Sequence, residues 1–263
     1  MPVLFYEIFN NNKAYNPIIF CCDHANNNIP QNYNNLGLSP QLLESHIAYD
    51  IGARSVTLEL AKYFKTYAIL GKFSRLLIDL NRAESNENII PKSSDGIDIP
   101  SNICITKLET KNRIKEYHLP YHKALNKKLH SLDRKFNRKT SLVCIHSFAP
   151  SLQRKKIRPW HIGLLHRDDK KLMKPIFNYL KNCNNLKVEK NVPYSGYDNV
   201  NYTMTKHGEL EKRPFITIEI RNDLITNIKK QTFKKITRML IKSLSISQEK
   251  LDNQFEKSIH NII

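Results

Sequence analysis

Short runs of apolar residues, each followed by polar residues, recur along the chain and predict buried strands. Four of these runs end in charged or reactive residues: PIIFCCDH (17–24), RLLIDLNR (75–82), SLVCIHSF (141–148) and PFITIEIR (214–221). Uninterrupted Ile, Leu, Val and Phe are typical of strands that are covered on both faces. In open α/β sheets, ligands bind at the carboxyl ends of such strands.

Between these runs, apolar residues at three- and four-residue steps predict helices. The predicted strands are 17–22, 67–70, 76–80, 141–145, 160–165, 186–188 and 214–220. The predicted helices are 40–64, 107–136 (broken or kinked at Pro120), 172–180 and 226–244. This alternation predicts one α/β domain over residues 1–244, with a mixed, mostly parallel central sheet and helices on both faces. Residues 245–263 are expected to form a helical or disordered tail, and 83–103 a long loop of the kind that is usually a functional lid or disordered.

Length and composition fit a globular protein. With 263 residues, 40% of them hydrophobic, the chain can bury a core of its own. No apolar run approaches the ~20 residues that a membrane-spanning helix needs. The first residues lack a basic region followed by an apolar stretch, so we expect a cytoplasmic protein. The five cysteines show no C-x-x-C spacing, which predicts buried thiols and excludes a cysteine-ligated zinc site.

The net charge of +18 allows two interpretations. A nucleic-acid partner is one, because Lys and Arg displace counterions from phosphates. Compositional bias is the other, since the chain is dense in Lys, Asn and Ile. Residues 107–139 carry eleven Lys or Arg against three acidic residues, but at the spacing of a solvated helix face. We therefore predict no nucleic-acid partner, and a small anionic substrate would also be attracted. Nothing in the sequence indicates an oligomeric state.

Two histidines at predicted strand ends are candidate metal ligands. His24 directly follows the first strand, and His146 follows residues 141–145. A catalytic zinc ion takes three protein ligands and leaves one position open for water. The first candidate for the third ligand is Asp50, in a predicted helix where Gly52 allows close approach. Asp23 is the alternative, although neighbouring residues of an extended strand point to opposite faces.

Charged residues at the other strand ends suit acid–base chemistry and carboxylate binding. Glu219 lies in a buried strand, where a carboxylate is costly unless it is paired or near a metal. It is a candidate general base, and an ion pair with Arg221 is the alternative. Asn81 and Arg82 could bind a substrate carboxylate, since Arg does so in a bidentate manner. Arg75 is a candidate for stabilising an oxyanion, or else forms a surface ion pair.

Further candidates lie in the polar loop 191–211 and in the segment YHLPYHKAL. Tyr202 offers a phenolic donor to a substrate. His207, next to a glycine, could polarise the substrate, bind a second carboxylate or hydrogen-bond a loop carbonyl. His118 and His122 stand four residues apart and are interpreted as structural residues or as supports of the metal site.

The same motifs resemble two related groups of enzymes. VCIHSF, IDLNR and ITIEIR are similar to the zinc-carboxypeptidase strands that carry the last zinc-binding His, the Asp-x-Asn-Arg clamp and the general-base Glu. HANNNIP, HIAYDIGA, SRLLIDLNRAES, YHLPYHKAL, IHSFAP, RPWHIGLL, VPYSGYDNVNYT and IEIRNDLI, in this order, resemble the N-formylglutamate amidohydrolase family over roughly residues 17–225. The carboxypeptidase pattern His-x-x-Glu fails, because Asn27 stands where the Glu would be.

The family resemblance implies a zinc-carboxypeptidase-like (phosphorylase/hydrolase-like) fold and a zinc-dependent amidohydrolase of N-formyl or N-acyl amino acids such as N-formylglutamate. Its implied ligands for one zinc ion are His24, His146 and, at the family's aspartate, Asp50. It also implies that Glu219 activates water and that the Asn-Arg pair holds the substrate carboxylate. Two alternatives stay open: a carboxypeptidase-like peptidase, and a basic nucleic-acid-binding protein on an inactive hydrolase fold.

Overall fold

A seven-stranded mixed sheet forms the centre of the protein in a computed structural model that describes residues 5–10, 13–152, 156–198 and 200–260. The strands in chain order, with the separate hairpin β4–β5 included, are β1 Tyr6–Phe9, β2 Ile18–Cys22, β3 Ala68–Gly71, β4 Ser93–Ser94, β5 Ile97–Asp98, β6 Ser141–Phe148, β7 Ile162–Leu165, β8 Val188–Lys190 and β9 Phe215–Arg221. The sheet order is β1-β3-β2-β6-β9-β7-β8. β3, β2, β6 and β9 run parallel to one another, β1 pairs antiparallel to β3, and β7 pairs antiparallel to β9 and parallel to β8.

Seven helices surround the sheet in the described part of the chain. They are α1 Pro40–Leu43, α2 Ala53–Tyr63, α3 Pro100–Ile103, α4 Lys107–Arg113, α5 Leu119–Phe136, α6 Met173–Lys181 and α7 Gln231–His260. Single 3₁₀ or π-helical segments lie at Gln31–Gly37, Ile114–His118, Met204–Glu209 and Asn222–Leu224. Within the described residues, none of these helices combines the length and apolar character that crossing a membrane requires.

Side chains of the sheet alternate between two cores. Val143 and Ile145 of β6 pack with α2, α6 and α7, whereas Leu142 and Cys144 pack with α5 on the other face. This is the two-residue period of an extended strand with both faces covered. The predicted mixed, mostly parallel α/β sheet with helices on both faces is confirmed.

The predicted helix 40–64 is wrong in its middle. The chain forms α1, turns through residues 44–52 and begins α2 only at Ala53. Gly52 stands at the break with φ +83°, and a Cβ there would lie 2.4 Å from the carbonyl oxygen of Ile225. The Asp50 amide donates to the His24 carbonyl at 3.0 Å. Asp50 therefore precedes the helix and is tied directly to the end of β2.

The predicted strand 76–80 is also wrong. Its leucines and isoleucine are buried as a strand would bury them, yet the segment runs in turns and pairs with no strand among the described residues. The apolar run reflects burial in the α5-side core, and burial alone cannot distinguish a strand from a buried irregular segment.

The helical prediction for 107–136 holds, but Pro120 does not break it. Pro120 occupies the first turn of α5, where a backbone N–H would have no intrahelical partner. A π-helical segment, Ile114–His118, joins α4 to α5, and the Leu119 amide donates to the Ile114 carbonyl. The helical spacing between His118 and His122 is thereby preserved.

Two other expectations change. Residues 83–103 contain the hairpin β4–β5 and α3, and the buried side chains Ile89, Ile90 and Ile99 anchor this otherwise largely exposed segment in the core on the α5 side. The predicted helix 226–244 begins at Gln231 and continues past Leu244 to His260, with Ser247 and Gln248 buried. The predicted tail is helical to His260, and residues 261–263 lie outside the described part.

Candidate metal-dependent active site

A small cavity of about 130 Å³ lies at the carboxyl ends of β2, β6 and β9. Its lining residues are His24, Asp50, Arg75, Asn81, Arg82, His146, Ser147, Tyr194, Val200, Asn201 and Glu219. The cavity therefore brings together seven of the nine first-choice candidates for metal binding, catalysis and substrate binding, all except Tyr202 and His207. Parallel strands bring their carboxyl ends to the same edge, which is why residues more than 190 positions apart converge there.

His24 presents one ring nitrogen to the cavity's centre. Its Nε2 lies 2.7 Å from Asp79 Oδ1, and because a carboxylate only accepts, Nε2 carries the proton. Nδ1 is then a bare acceptor; it is buried and has no hydrogen-bond partner among the described residues. A carboxylate behind the protonated nitrogen is the arrangement that orients histidine ligands of metals.

His146 lies between two carboxylates. Its Nδ1 is 2.8 Å from Asp50 Oδ2, and its Nε2 is 3.2 Å from Asp23 Oδ2. Burial alone would lower the pKa of His146, but Asp23 and Asp50 raise it well above its ordinary value. The raised pKa favours a ring protonated on both nitrogens, with Nδ1 donating to Asp50, so a metal ion beside Asp50 would take the place of the proton on Nδ1.

His24, Asp50 and His146 together fit a divalent metal ion. Each offers one ligand atom, these atoms lie within 4.8 Å of one another, and all three residues are buried. Two imidazoles and one carboxylate match the ligands that zinc takes in hydrolases. Burial would raise the pKa of Asp50, but the adjacent imidazoles hold it below its ordinary value, so this carboxylate is ionised and ready to ligate.

Asp23, the alternative third ligand, lies behind His146. Its Oδ1 accepts a 2.6 Å hydrogen bond from the Tyr121 hydroxyl, and Oδ2 faces His146 Nε2. Asp23 is not among the residues that line the cavity. The geometry therefore favours Asp50 over Asp23 as the third ligand and places Asp23 on the far side of the His146 ring.

Glu219 lies beside His146 on the neighbouring strand. The two residues are partners in the β6–β9 register, so their side chains share one face of the sheet. Gly163 is Glu219's partner on β7, and its missing side chain leaves room for the carbonyl of Val192. Burial raises the pKa of Glu219 to about 7, and Oε2 has no hydrogen-bond partner among the described residues. Glu219 does not form the alternative ion pair with Arg221, because the Arg221 guanidinium pairs with Asp223.

Asp79 links the metal-binding group to the basic residues of the cavity. Its Oδ1 accepts from His24 and from the Asn81 amide at 2.9 Å, and its Oδ2 accepts from Arg75 Nη2 at 3.0 Å. Arg75 Nη1 also lies 3.5 Å from Asp50 Oδ1. Arg75 is thus fixed at the cavity wall by two carboxylates and forms no surface ion pair.

Arg82 borders the cavity with part of its guanidinium still available. Nη1 donates to the Val200 carbonyl at 2.9 Å, and Nε lies 3.9 Å from Asp79 Oδ2. Beside it, the Asn81 side-chain oxygen accepts from the Thr203 amide, and the Asn81 side-chain N–H groups have no hydrogen-bond partner among the described residues. We call residues 76–82, which carry this pair, the clamp segment.

Tyr202 and His207 are not brought into the cavity. The Tyr202 hydroxyl contacts Glu84 and Lys206. His207 Nε2 lies 3.0 Å from His122 Nδ1 and borders a separate cavity beyond it. Neither side chain therefore lines the cavity.

Sequence reasoning missed Tyr194, which lines the cavity. Of the three tyrosines in VPYSGYDNVNYT, Tyr202 was the candidate, and no periodic signal separates the three in an irregular loop. Val200 and Asn201 lie in the same loop and were missed for the same reason, whereas Ser147 lies in β6, where no local pattern marks it. The Ser147 amide donates to Asp50 Oδ2 at 3.2 Å, a contact that depends on tertiary structure alone.

A family model described as N-formylglutamate amidohydrolase matches residues 16–226 of the chain. Among curated proteins, none matches the chain significantly. Two solved structures are similar to it over nearly their whole length. One is a gene product of Agrobacterium tumefaciens, with 30% sequence identity, a TM-score of 0.87, and coverage of 94% of this chain and 96% of that one.

The second is an N-formylglutamate amidohydrolase from Ralstonia eutropha JMP134. It has 19% identity and a TM-score of 0.72, and the match covers 94% of this chain and 98% of that one. At 19% sequence identity, this structural similarity shows that the two proteins share a fold.

Proposed function

The chain belongs to the N-formylglutamate amidohydrolase family, and we propose that it is a zinc-dependent enzyme that hydrolyses the amide bond of an N-formyl or N-acyl amino acid such as N-formylglutamate. One observation carries the proposal. A single cavity joins a buried His-Asp-His group, a carboxylate with a raised pKa and a pair of residues suited to binding a carboxylate.

His24 Nδ1, His146 Nδ1 and one oxygen of Asp50 would hold the ion. A zinc ion held there would supply a Lewis acid that activates water and polarises the amide carbonyl. Asp79 accepts the proton of His24 Nε2, and Asp23 Oδ2 faces His146 Nε2, so both imidazoles could keep a proton on Nε2 while their Nδ1 atoms bind the ion.

Glu219 is the proposed general base. It takes a proton from the attacking water as the water oxygen bonds to the amide carbon, and it passes that proton to the nitrogen as the C–N bond breaks. The products are formate, or another carboxylate, and the free amino acid. Because burial raises its pKa to about 7, Glu219 can accept and return a proton near neutral pH.

Arg75 and the clamp pair are proposed to bind the anionic parts of the reacting substrate. Arg75 would stabilise the negative charge that develops on the amide oxygen. Asn81 and Arg82 would hold the carboxylate of the amino acid, for which a guanidinium is well shaped. The small cavity favours a substrate of amino-acid size over a polypeptide.

A substrate panel with and without chelator tests the proposal. We expect zinc-restored hydrolysis of N-formyl-L-glutamate, with N-acetyl and N-carbamoyl glutamate reporting on the acyl group and N-formyl-L-alanine amide as the uncharged control. Hydrolysis that survives complete metal removal would exclude zinc dependence. Faster release of C-terminal residues from peptides would favour a carboxypeptidase. Salt-dependent binding of nucleic acid without any hydrolysis would favour an inactive hydrolase fold.

A further inference from the structure

The clamp segment is buried but lacks the hydrogen bonds of a sheet. Its residues run in turns, and its leucines and isoleucine contribute to the core on the α5 side. Buried backbone carbonyls need donors, and an unpaired one is destabilising. This segment takes several of its donors from side chains elsewhere in the chain.

Four carbonyls of the clamp segment accept hydrogen bonds from side chains of residues 102–122. The contacts are Asn102 Nδ2 to Leu76 O at 2.8 Å, Arg113 Nη1 to Leu77 O at 3.1 Å, His122 Nε2 to Leu80 O at 2.9 Å and His118 Nε2 to Arg82 O at 2.9 Å. Asn102 and Arg113 donate to carbonyls at the end of the segment that does not line the cavity. His118 and His122 donate to the carbonyls of the two residues on either side of Asn81.

The hydrogen-bond partners fix the tautomers of these histidines. A carbonyl oxygen only accepts, so Nε2 carries the proton in both His118 and His122. His122 Nδ1 is then an acceptor, and His207 Nε2 donates to it at 3.0 Å. Burial lowers the pKa of His118, His122 and His207, for His207 to about 4, which keeps the rings neutral at neutral pH.

We propose that His118 and His122 are positioning residues that hold the backbone on both sides of Asn81, so that Asn81 and Arg82 meet the substrate carboxylate in a fixed geometry. The inference rests on the proposed function, in which this pair binds that carboxylate. His207 supports it by fixing the His122 ring. None of the three histidines lines the cavity, so they act through the backbone and do not touch substrate.

The matched variants are His118→Gln and His118→Asn. The amide nitrogen of Gln reaches about as far from Cα as Nε2 does, whereas that of Asn reaches only about as far as Nδ1. His118→Gln should therefore keep the hydrogen bond to Arg82 O and His118→Asn should lose it. Asn102→Ala is the control, because it frees the Leu76 carbonyl of the same segment away from the cavity.

For N-formyl-L-glutamate we expect His118→Asn to raise KM about tenfold with kcat nearly unchanged, since a displaced clamp weakens binding. His118→Gln should restore KM, and Asn102→Ala should lower Tm without raising KM. Amide hydrogen exchange at residues 80–83 should be faster in His118→Asn than in His118→Gln. If His118→Asn does not fold, His122→Asn and His122→Gln repeat the comparison at Leu80 O.

Equal KM for the Asn and Gln variants, or an equal rise in KM for Asn102→Ala, would overturn the positioning role. If wild-type protein neither hydrolyses nor binds any N-acyl amino acid, the proposed function is wrong instead. Hydrogen exchange then decides whether the histidines hold the segment, and equal exchange in the two variants would contradict it.

Discussion

His24, His146 and Glu219 line the same cavity as Asn81 and Arg82, but different interactions hold the two groups. The first group stands on or directly after parallel strands, and the β6–β9 register alone places His146 beside Glu219. The second group stands on a buried segment with no strand partner in the described structure, and side chains of α3, α4, the π-helical segment and α5 supply its donors.

This difference has consequences for how each group responds to mutation. A ladder of backbone hydrogen bonds survives the loss of any one side chain, so changes in the strand-end group should remove chemistry and leave the fold intact. The clamp segment depends on individual side chains, so changes around it should shift geometry and substrate affinity. The predictions that follow test the contrast, from the largest expected effect to the smallest.

His146→Ala should abolish metal binding at wild-type affinity and, with it, hydrolysis. The variant loses one of three ligands and leaves the buried carboxylates of Asp23 and Asp50 without the imidazole between them, so Tm of the metal-free protein should fall while the strand ladder keeps the fold. Metal content after dialysis, measured alongside hydrolysis, checks this. His130→Ala, which removes a histidine far from the cavity, is the control. Full retention of metal by His146→Ala would exclude this residue as a ligand.

Glu219→Gln should lower kcat by roughly 10²–10⁴-fold, the usual contribution of a general base. The amide keeps the size of the side chain but cannot take the proton, so metal content and Tm should stay near wild type. Glu189→Gln, on the edge strand β8, is the matched control and should be fully active. Substantial activity in Glu219→Gln would mean that another group activates the water.

Asp23→Asn and Asp50→Asn, compared side by side, should separate the orienting carboxylate from the ligand. Removing a carboxylate behind a ligating histidine typically weakens metal binding by roughly 10–100-fold. Asp50→Asn should cost more, since it replaces a ligand. Competition with a chelator of known affinity measures both. The reverse order would make Asp23 the third ligand.

Arg82→Ala should raise KM for an anionic substrate while kcat changes less. Removing one partner of a buried charge pair costs about 2 kcal/mol or more, which is roughly 30-fold in KM. Arg82→Lys should restore only part of the affinity, because an ammonium cannot bind a carboxylate in the bidentate manner. Arg134→Ala, on the exposed side of α5, should leave KM unchanged. An unaltered KM in Arg82→Ala would show that other residues bind the substrate carboxylate.

Much of the sheet could be predicted from the apolar runs. The predicted strands 17–22, 67–70, 141–145 and 214–220 correspond to β2, β3, β6 and β9. A short run of β-branched and aliphatic residues is typical of a strand whose two faces are both buried. The run at 76–80 has the same composition and forms no strand. Its burial comes from the core under α5, and its hydrogen bonds come from residues that no local pattern connects to it.

The sequence by itself determined which strand ends carry His24, His146 and Glu219, since the order of the runs and the direction of parallel strands bring those ends to one edge. Only the tertiary structure decided that Asp50 enters the site at a break before α2, that Asp23 stands behind His146, that Tyr194 lines the cavity and that His207 does not. Each of these depends on contacts between segments distant in sequence. Periodicity reports which residues are buried, whereas hydrogen bonds between distant segments decide where the buried polar groups point.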